Sequence, residues 1–153
     1  MHAAIDDPEL SSLVISRDQL IVALSEQHGA ATKSAIELKA LSQETIFVPK
    51  RHASMGFHEL VLSACREAGF VPARMQSTRL LQTAVALVAG GMGVALIPAS
   101  FRDNLQIRGV VYRPLAGKTP VAELIAVWRT GNTSSLLTRF RRELRVVLRR
   151  TRS

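Results

Sequence analysis

Apolar residues in this chain come in short blocks separated by polar stretches, and the clearest pair of blocks lies between Ser77 and Ser100. Leu80, Leu81, Ala84, Val85, Leu87 and Val88 recur at helical spacing, which predicts a helix with one apolar face. Ser77 or Thr78 is placed to cap its start by accepting a backbone N–H, and Gly90 and Gly91 sit where a helix closes. Val94 to Ile97 is a continuous apolar run, as expected for a strand covered on both faces. Pro98 ends that strand because it cannot donate to a ladder. A helix leading tightly into a buried strand is half of a parallel α/β unit, and such sheets bind ligands beyond the strand carboxyl ends. Pro98, Ala99 and Ser100 lie at that edge.

The rest of the chain extends the alternation. Met1 to Ser12 is mixed, with Asp6, Asp7 and Glu9, and reads as a loose lead-in. Strands are predicted at Arg17–Leu24, Thr45–Pro49, Val71–Gln76, Gly109–Arg113 and Ala122–Trp128. A helical turn is expected at Ile36–Leu41 and helices at Phe57–Ala68 and Thr133–Arg150. Gly69 stops the first of these helices, and Gly117 to Pro120 supplies a turn between the last two strands. In the final helix Leu136, Leu137, Phe140, Leu144, Val147 and Leu148 read as facing inward. The order predicts an α/β fold with a parallel or mixed sheet flanked by helices. The chain shows no internal repeat and no low-complexity tract.

Composition narrows the class. With 153 residues, 47% apolar and 21% charged, the chain can bury one real core or most of a two-lobed domain. Arg, Gln or Gly interrupts each apolar run before membrane-spanning length, and the first residues lack a basic segment followed by an apolar one. The expected compartment is cytoplasmic. One cysteine, Cys65, excludes an internal disulfide. The net charge of +8 suggests nucleic acid until it is located. Thr133 to Ser153 holds seven arginines and one acid, Glu143, giving +6, so the other 132 residues carry +2. The excess belongs to one terminal helix.

Candidate chemistry concentrates at strand ends. The loop Lys50 to Phe57 leads into a helix N-terminus, whose free N–H groups favour an anion. Lys50, Arg51 and His52 add positive charge and Ser54 a hydroxyl, with Met55, Gly56 and Phe57 completing the turn. A carboxylate is the natural guest, set against an ordinary basic surface loop. Ser77, Thr78, Pro98 and Ser100 occupy equivalent edges, where capping competes with ligand contact. Cys65 and His58 resemble a nucleophile and its base, but seven residues on a helix separate them by about 10 Å. Cys65 therefore reads as a small core side chain. His52 and His58 lack a third ligand at metal spacing. Gly90, Gly91 and Gly93 follow a helix and open a strand, the reverse of a dinucleotide fingerprint, so no cofactor is expected. The arginines of the last helix fall between apolar positions without an aromatic platform, which favours a solvated face over phosphate binding.

Six stretches, taken in order, resemble a known family. They are Q-L-I-V-A-L-S-E-Q-H-G at Gln19–Gly29, I-E-L-K-A-L followed by T-I-F-V-P, A-C-R-E-A-G-F-V-P at Ala64–Pro72, L-V-A-G-G-M-G-V-A-L-I-P at Leu87–Pro98, G-V-V-Y-R-P-L at Gly109–Leu115 and E-L-I-A-V-W-R at Glu123–Arg129. From about Leu13 to about Leu144 the chain resembles the effector-binding domain of a LysR-type transcriptional regulator. The resemblance implies a periplasmic-binding-protein-like (type 2), Rossmann-like lobe plus a partial second lobe. It implies regulatory subdomain two over 19–115, with 1–18 and 116–153 belonging to subdomain one. It implies a sensor rather than an enzyme. A small-molecule effector, a carboxylate, would bind between lobes against the Lys50–Phe57 loop and the Ser77–Thr78 and Pro98–Ser100 edges. The helix Phe57–Ala68 and the strand Val71–Gln76 would pack on a partner, giving a homodimer or tetramer of the full regulator. DNA would be contacted through an N-terminal winged helix-turn-helix, which is expected to be missing here along with part of subdomain one. The alternatives are a solute-binding protein or enzyme domain of similar two-lobed fold, and an arginine-driven nucleic-acid binder.

Overall fold

The computed structural model describes residues 7–50 and 55–150. In chain order they form β1 (Leu10–Ser25), a 3-10 turn at Leu38–Leu41, β2 (Thr45–Pro49), α1 (Met55–Glu67), β3 (Arg74–Thr78), α2 (Leu81–Ala89) and β4 (Val94–Pro98). A second 3-10 turn at Ala99–Phe101 follows, then β5 (Val110–Pro114), β6 (Val121–Arg129) and α3 (Ser135–Arg150). The strands make one mixed sheet in the order β3-β2-β4-β1-β5, with β6 also paired to β1. β2 runs parallel to both β3 and β4, whereas β1 is antiparallel to β4 and β5. The chain divides into two compact units: Asp18–Ala122, and the residues up to Arg17 together with those from Glu123 onward.

The unit Asp18–Ala122 owes its core to the period-two alternation of its central strands. Val94 and Leu96 of β4 point to one cluster, with Leu20, Val22, Leu24, Ile46, Val48 and the α1 residues Val61 and Cys65. Ala95 and Ile97 point to the other, with Ile21, Ala23, Phe47 and the α2 residues Ala84, Val85 and Val88. β4 is therefore covered by a helix on each face, as its unbroken apolar run predicts. Each fully buried Leu, Ile, Val or Phe contributes about 1.5–3 kcal/mol of transfer free energy. Gly93 admits β4 to the sheet. Its φ is +155°, and a Cβ there would overlap the Thr45 carbonyl oxygen and lie 3.0 Å from Phe47 Cε2.

Several boundaries differ from the sequence reading. β1 begins at Leu10 rather than Arg17, so the end of the supposed lead-in is strand, while Met1–Asp6 lie outside the described residues. Two backbone bonds show what extends it: Thr130 N–H donates to Glu9 O at 2.7 Å, and Leu20 N–H to Pro120 O at 2.9 Å. β3 is shifted toward the C-terminus, to Arg74–Thr78, because it pairs in parallel with β2 from Thr45↔Arg74 to Pro49↔Thr78. The capping assignment for Ser77 or Thr78 is thereby overturned. Both are strand residues, α2 starts at Leu81, and its N-cap Leu80 makes no side-chain capping bond. α1 starts two residues earlier than predicted, at Met55, and Gly69 follows its end with φ +84°.

The unit holding α3 corrects the reading of that helix. Leu137, Leu144 and Leu148 are half-buried, but Leu136 is 76% exposed, Phe140 58% and Val147 56%. Among the described residues this unit offers two strand segments to one helix, and so narrow a ribbon covers a single stripe of it. The ribbon is tied by Arg17 Nε donating to Glu123 Oε1 at 2.7 Å. Trp128 lies under the Arg141 guanidinium, 4.5 Å from ring centroid to carbon.

Candidate ligand-binding edge

Because β2, β3 and β4 are parallel, their carboxyl ends fall on one edge of the sheet. Pro49 pairs with Thr78, and Phe47 pairs with Ala95, so continuing the register sets Lys50 level with Pro98. Each strand then runs into a helical segment: β2 toward α1, β3 into α2, and β4 directly into the Ala99–Phe101 turn. The first N–H groups of each segment have no partner within it, so three sets of donors begin at this edge. α1 and α2 carry no acidic residue in their first turns, which leaves their N-terminal field uncompensated from within.

Of the predicted site residues, Lys50, Ser77, Thr78, Pro98 and Ser100 are brought to this edge. Lys50 is exposed, and its N–H donates to Thr78 O at 2.8 Å, tying two of the strand ends together. Ser77 and Ser100 are exposed, while Pro98 is half-buried. Thr78 is buried, and its hydroxyl donates to Leu80 O at 3.1 Å, so its side chain braces the turn into α2. Met55 and Gly56 open α1, Gly56 being exposed. Phe57 is half-buried and packs on the core cluster under α1. Arg51, His52 and Ser54 lie outside the described residues.

One residue at this edge escaped the sequence reading. Asp18 Oδ2 accepts a hydrogen bond from Ser100 N–H at 3.0 Å, supplying the carboxylate that a helical N-terminus favours. It reaches that position because β1 pairs antiparallel with β4, Leu20 opposite Pro98. Nothing in the local sequence around Ser100 signals a partner so far away in the chain.

The groups considered for other chemistry are placed apart from it. Cys65 is fully buried within the α1 cluster, and burial pushes its thiol up to about 11, away from thiolate reactivity. Tyr112 is also raised by burial, and its hydroxyl donates to Leu105 O. Among the described residues no group of three His, Cys, Asp or Glu side chains is arranged to hold a metal ion. A cavity of about 390 Å³ lies within the other unit, between β1 and α3, and is lined by none of the predicted residues.

Comparison with known proteins decides the family. The family model described as the LysR substrate binding domain matches residues 1–149. The chain belongs to the LysR substrate-binding domain family. Among curated relatives, BudR of Raoultella terrigena, an HTH-type transcriptional regulator, is 26% identical over 127 residues, 83% of this chain and 43% of that protein. A probable cat1 operon transcriptional activator of Acinetobacter lwoffii is 30% identical over 132 residues, 86% of this chain and 43% of that protein. The chain thus spans about two fifths of the length of the curated relatives it matches. Among solved structures, the BenM effector-binding domain with its effector benzoate superposes with a TM-score of 0.75 at 25% identity, covering 94% of this chain and 65% of that one. The fold is accordingly the mixed-sheet, periplasmic-binding-protein-like architecture that the LysR resemblance implied. These matched relatives are transcriptional regulators. No helix among the described residues is long and apolar enough to cross a membrane.

Proposed function

We propose that this chain is the effector-sensing domain of a LysR-type transcriptional regulator, that its effector is a small organic carboxylate, and that it performs no catalysis. The observation carrying this is the convergence of three strand-to-helix junctions on one edge of a LysR-family sheet. Lys50 provides a cation there, and Ser77 and Ser100 provide exposed hydroxyls. The uncapped N–H groups of α2 complete an environment that favours a carboxylate over a neutral ligand. Asp18 neutralises part of the field beside Ser100, so the carboxylate is best held nearer Lys50 and Ser77. Asp18–Ala122 corresponds to regulatory subdomain two, and the remaining segments to a portion of subdomain one. In the intact regulator, effector binding biases the conformation presented to a DNA-binding domain and to partner subunits, and the protein works in the cytoplasm.

NMR titration of the 153-residue chain with benzoate and a panel of aliphatic and aromatic carboxylates tests this. The amides of Lys50, Ser77 and Ser100 should shift together, and Lys50→Gln should weaken binding by roughly five- to tenfold, the loss of one charge-assisted contact. Equal affinity for the corresponding neutral amides, or shifts that bypass all three amides, would refute the assignment.

A further inference from the structure

We infer that the effector carries two acidic groups and that Arg79 is the residue that pairs with the second, a step that rests on the carboxylate reading of the same edge. β2 and β3 are parallel neighbours whose last pair is Pro49↔Thr78. The ladder goes one step further, since Lys50 N–H donates to Thr78 O at 2.8 Å. Lys50 and Arg79 are therefore level, each one residue past the end of its strand. Adjacent strands lie about 4.8 Å apart, so two cationic residues are rooted side by side at the edge. Both are exposed, and among the described residues neither side chain forms an ion pair or a hydrogen bond. The first turns of α1 and α2 hold no acid. Asp18 belongs to β1, two places from β2 in the sheet, and its carboxylate is engaged by Ser100 N–H at 3.0 Å.

Neighbouring like charges repel, and an anion beside each relieves the repulsion. The two heads differ in what they hold best. The Lys50 ammonium is a compact point charge, whereas a guanidinium takes a carboxylate through two parallel N–H···O bonds. Arg79 also directly precedes Leu80, the N-cap of α2, which makes no side-chain capping bond. A carboxylate on Arg79 thus lies beside the first N–H groups of α2, whose partial charge adds to that of the guanidinium. Leu80 is 59% exposed and offers apolar surface to the carbon chain joining the two acids. Roots about 4.8 Å apart suit two carboxylates on a short chain or ring better than one phosphate, whose oxygens share a single centre. Arg79 stands out only because β3 runs to Thr78. With the strand ended at Gln76, as the sequence reading has it, Arg79 falls within the capped start of a helix.

The test compares glutarate, its monomethyl ester and inorganic phosphate by NMR titration of the 153-residue chain near neutral pH. Glutarate should bind at least roughly fivefold tighter than the ester, which has the same carbon chain and one charge fewer. It should move the Arg79 Nε–Hε signal together with the amides of Lys50 and Ser77. Arg79→Gln should abolish the preference for the diacid while leaving affinity for the ester within about twofold. Lys50→Gln should weaken both ligands. Arg108→Gln, which removes an exposed arginine ahead of β5 at the opposite edge of the sheet, should bind as the parent does. Equal affinity for glutarate and the ester, a preference that survives Arg79→Gln, an equal loss in Arg108→Gln, or phosphate binding as tightly as glutarate overturns the second acidic group and leaves the carboxylate edge standing. If neither glutarate nor the ester shifts the amides of Lys50, Ser77 and Ser100, the carboxylate edge itself falls, and the pairing with Arg79 falls with it.

Discussion

Gly93→Ala should destabilise the chain by about 4 kcal/mol, and the structure gives the reasons separately. The backbone at Gly93 has φ +155°, a conformation costing a side-chain-bearing residue about 1–3 kcal/mol. The new methyl would overlap the Thr45 carbonyl oxygen and meet the Thr45 Cβ and Phe47 Cε2 at 3.0 Å each. A carbonyl in a paired strand cannot rotate away, so β2 and β4 must separate, an overpacking cost of about 1–3 kcal/mol. Gly91 provides the control: its φ is +71°, but a Cβ there meets nothing within 4 Å. Gly91→Ala should therefore cost about 1–2 kcal/mol, the backbone contribution alone. Urea titration followed by far-UV circular dichroism reads both, and thermal melts should separate the two variants by roughly 5–10 °C for a domain this size. If Gly93→Ala falls within about 0.5 kcal/mol of Gly91→Ala, close approach of β4 to β2 is not what demands the glycine. A displaced β4 also moves Pro98 and Ser100, so carboxylate binding should weaken in Gly93→Ala and not in Gly91→Ala.

Three further outcomes are expected. The Cys65 thiol is raised from 9.0 to about 11 by burial, so above pH 9 the unfolded thiol ionises while the folded one does not. Stability should therefore fall as pH rises from about 9 toward 11, and Cys65→Ala should lose up to about 2 kcal/mol of that dependence in urea melts at pH 7.5 and 10.5 while keeping ligand binding; an unchanged pH dependence would count against the buried neutral thiol. Arg141→Gln should cost about 0.5–1 kcal/mol and alter the emission of Trp128, the single tryptophan, because the guanidinium sits 4.5 Å from its ring. In gel shifts the 153-residue chain should show no preference among duplex DNA sequences, since the arginines of α3 offer charge without a base-reading arrangement; a sequence-specific complex would revive the nucleic-acid alternative.

The sheet's centre was legible because its signals are local. Thr45–Pro49 and Val94–Pro98 are each an apolar run closed by a proline, and both strands have those bounds or nearly so. The β3–α2 junction was misread because Ser77 and Thr78 are good caps by composition, whereas parallel pairing with β2 holds them in the ladder. Periodicity told which residues of α3 share a stripe, but not whether anything covers it, and Leu136 and Phe140 are exposed. The candidate edge was half visible. Lys50, Ser77, Pro98 and Ser100 follow from the rule for strand carboxyl ends, but Asp18 depends on an antiparallel register that local pattern does not encode.

The three junctions at the sheet edge also bear on how such a domain diversifies. Inside β2 and β4 the side chains that fix register, such as Ile46, Val48, Leu96 and Ile97, are fully buried, while Lys50 and Ser100 lie past the last paired position, Ser77 lies one residue before it, and all three are exposed. Substitution at the tips therefore changes ligand chemistry at a cost of tenths of a kcal/mol in folding, whereas substitution two or three residues upstream costs several. Three tips on three separate strands can vary independently of one another. A lineage built on this sheet can exchange one recognition element at a time, and each intermediate remains folded while its preference drifts.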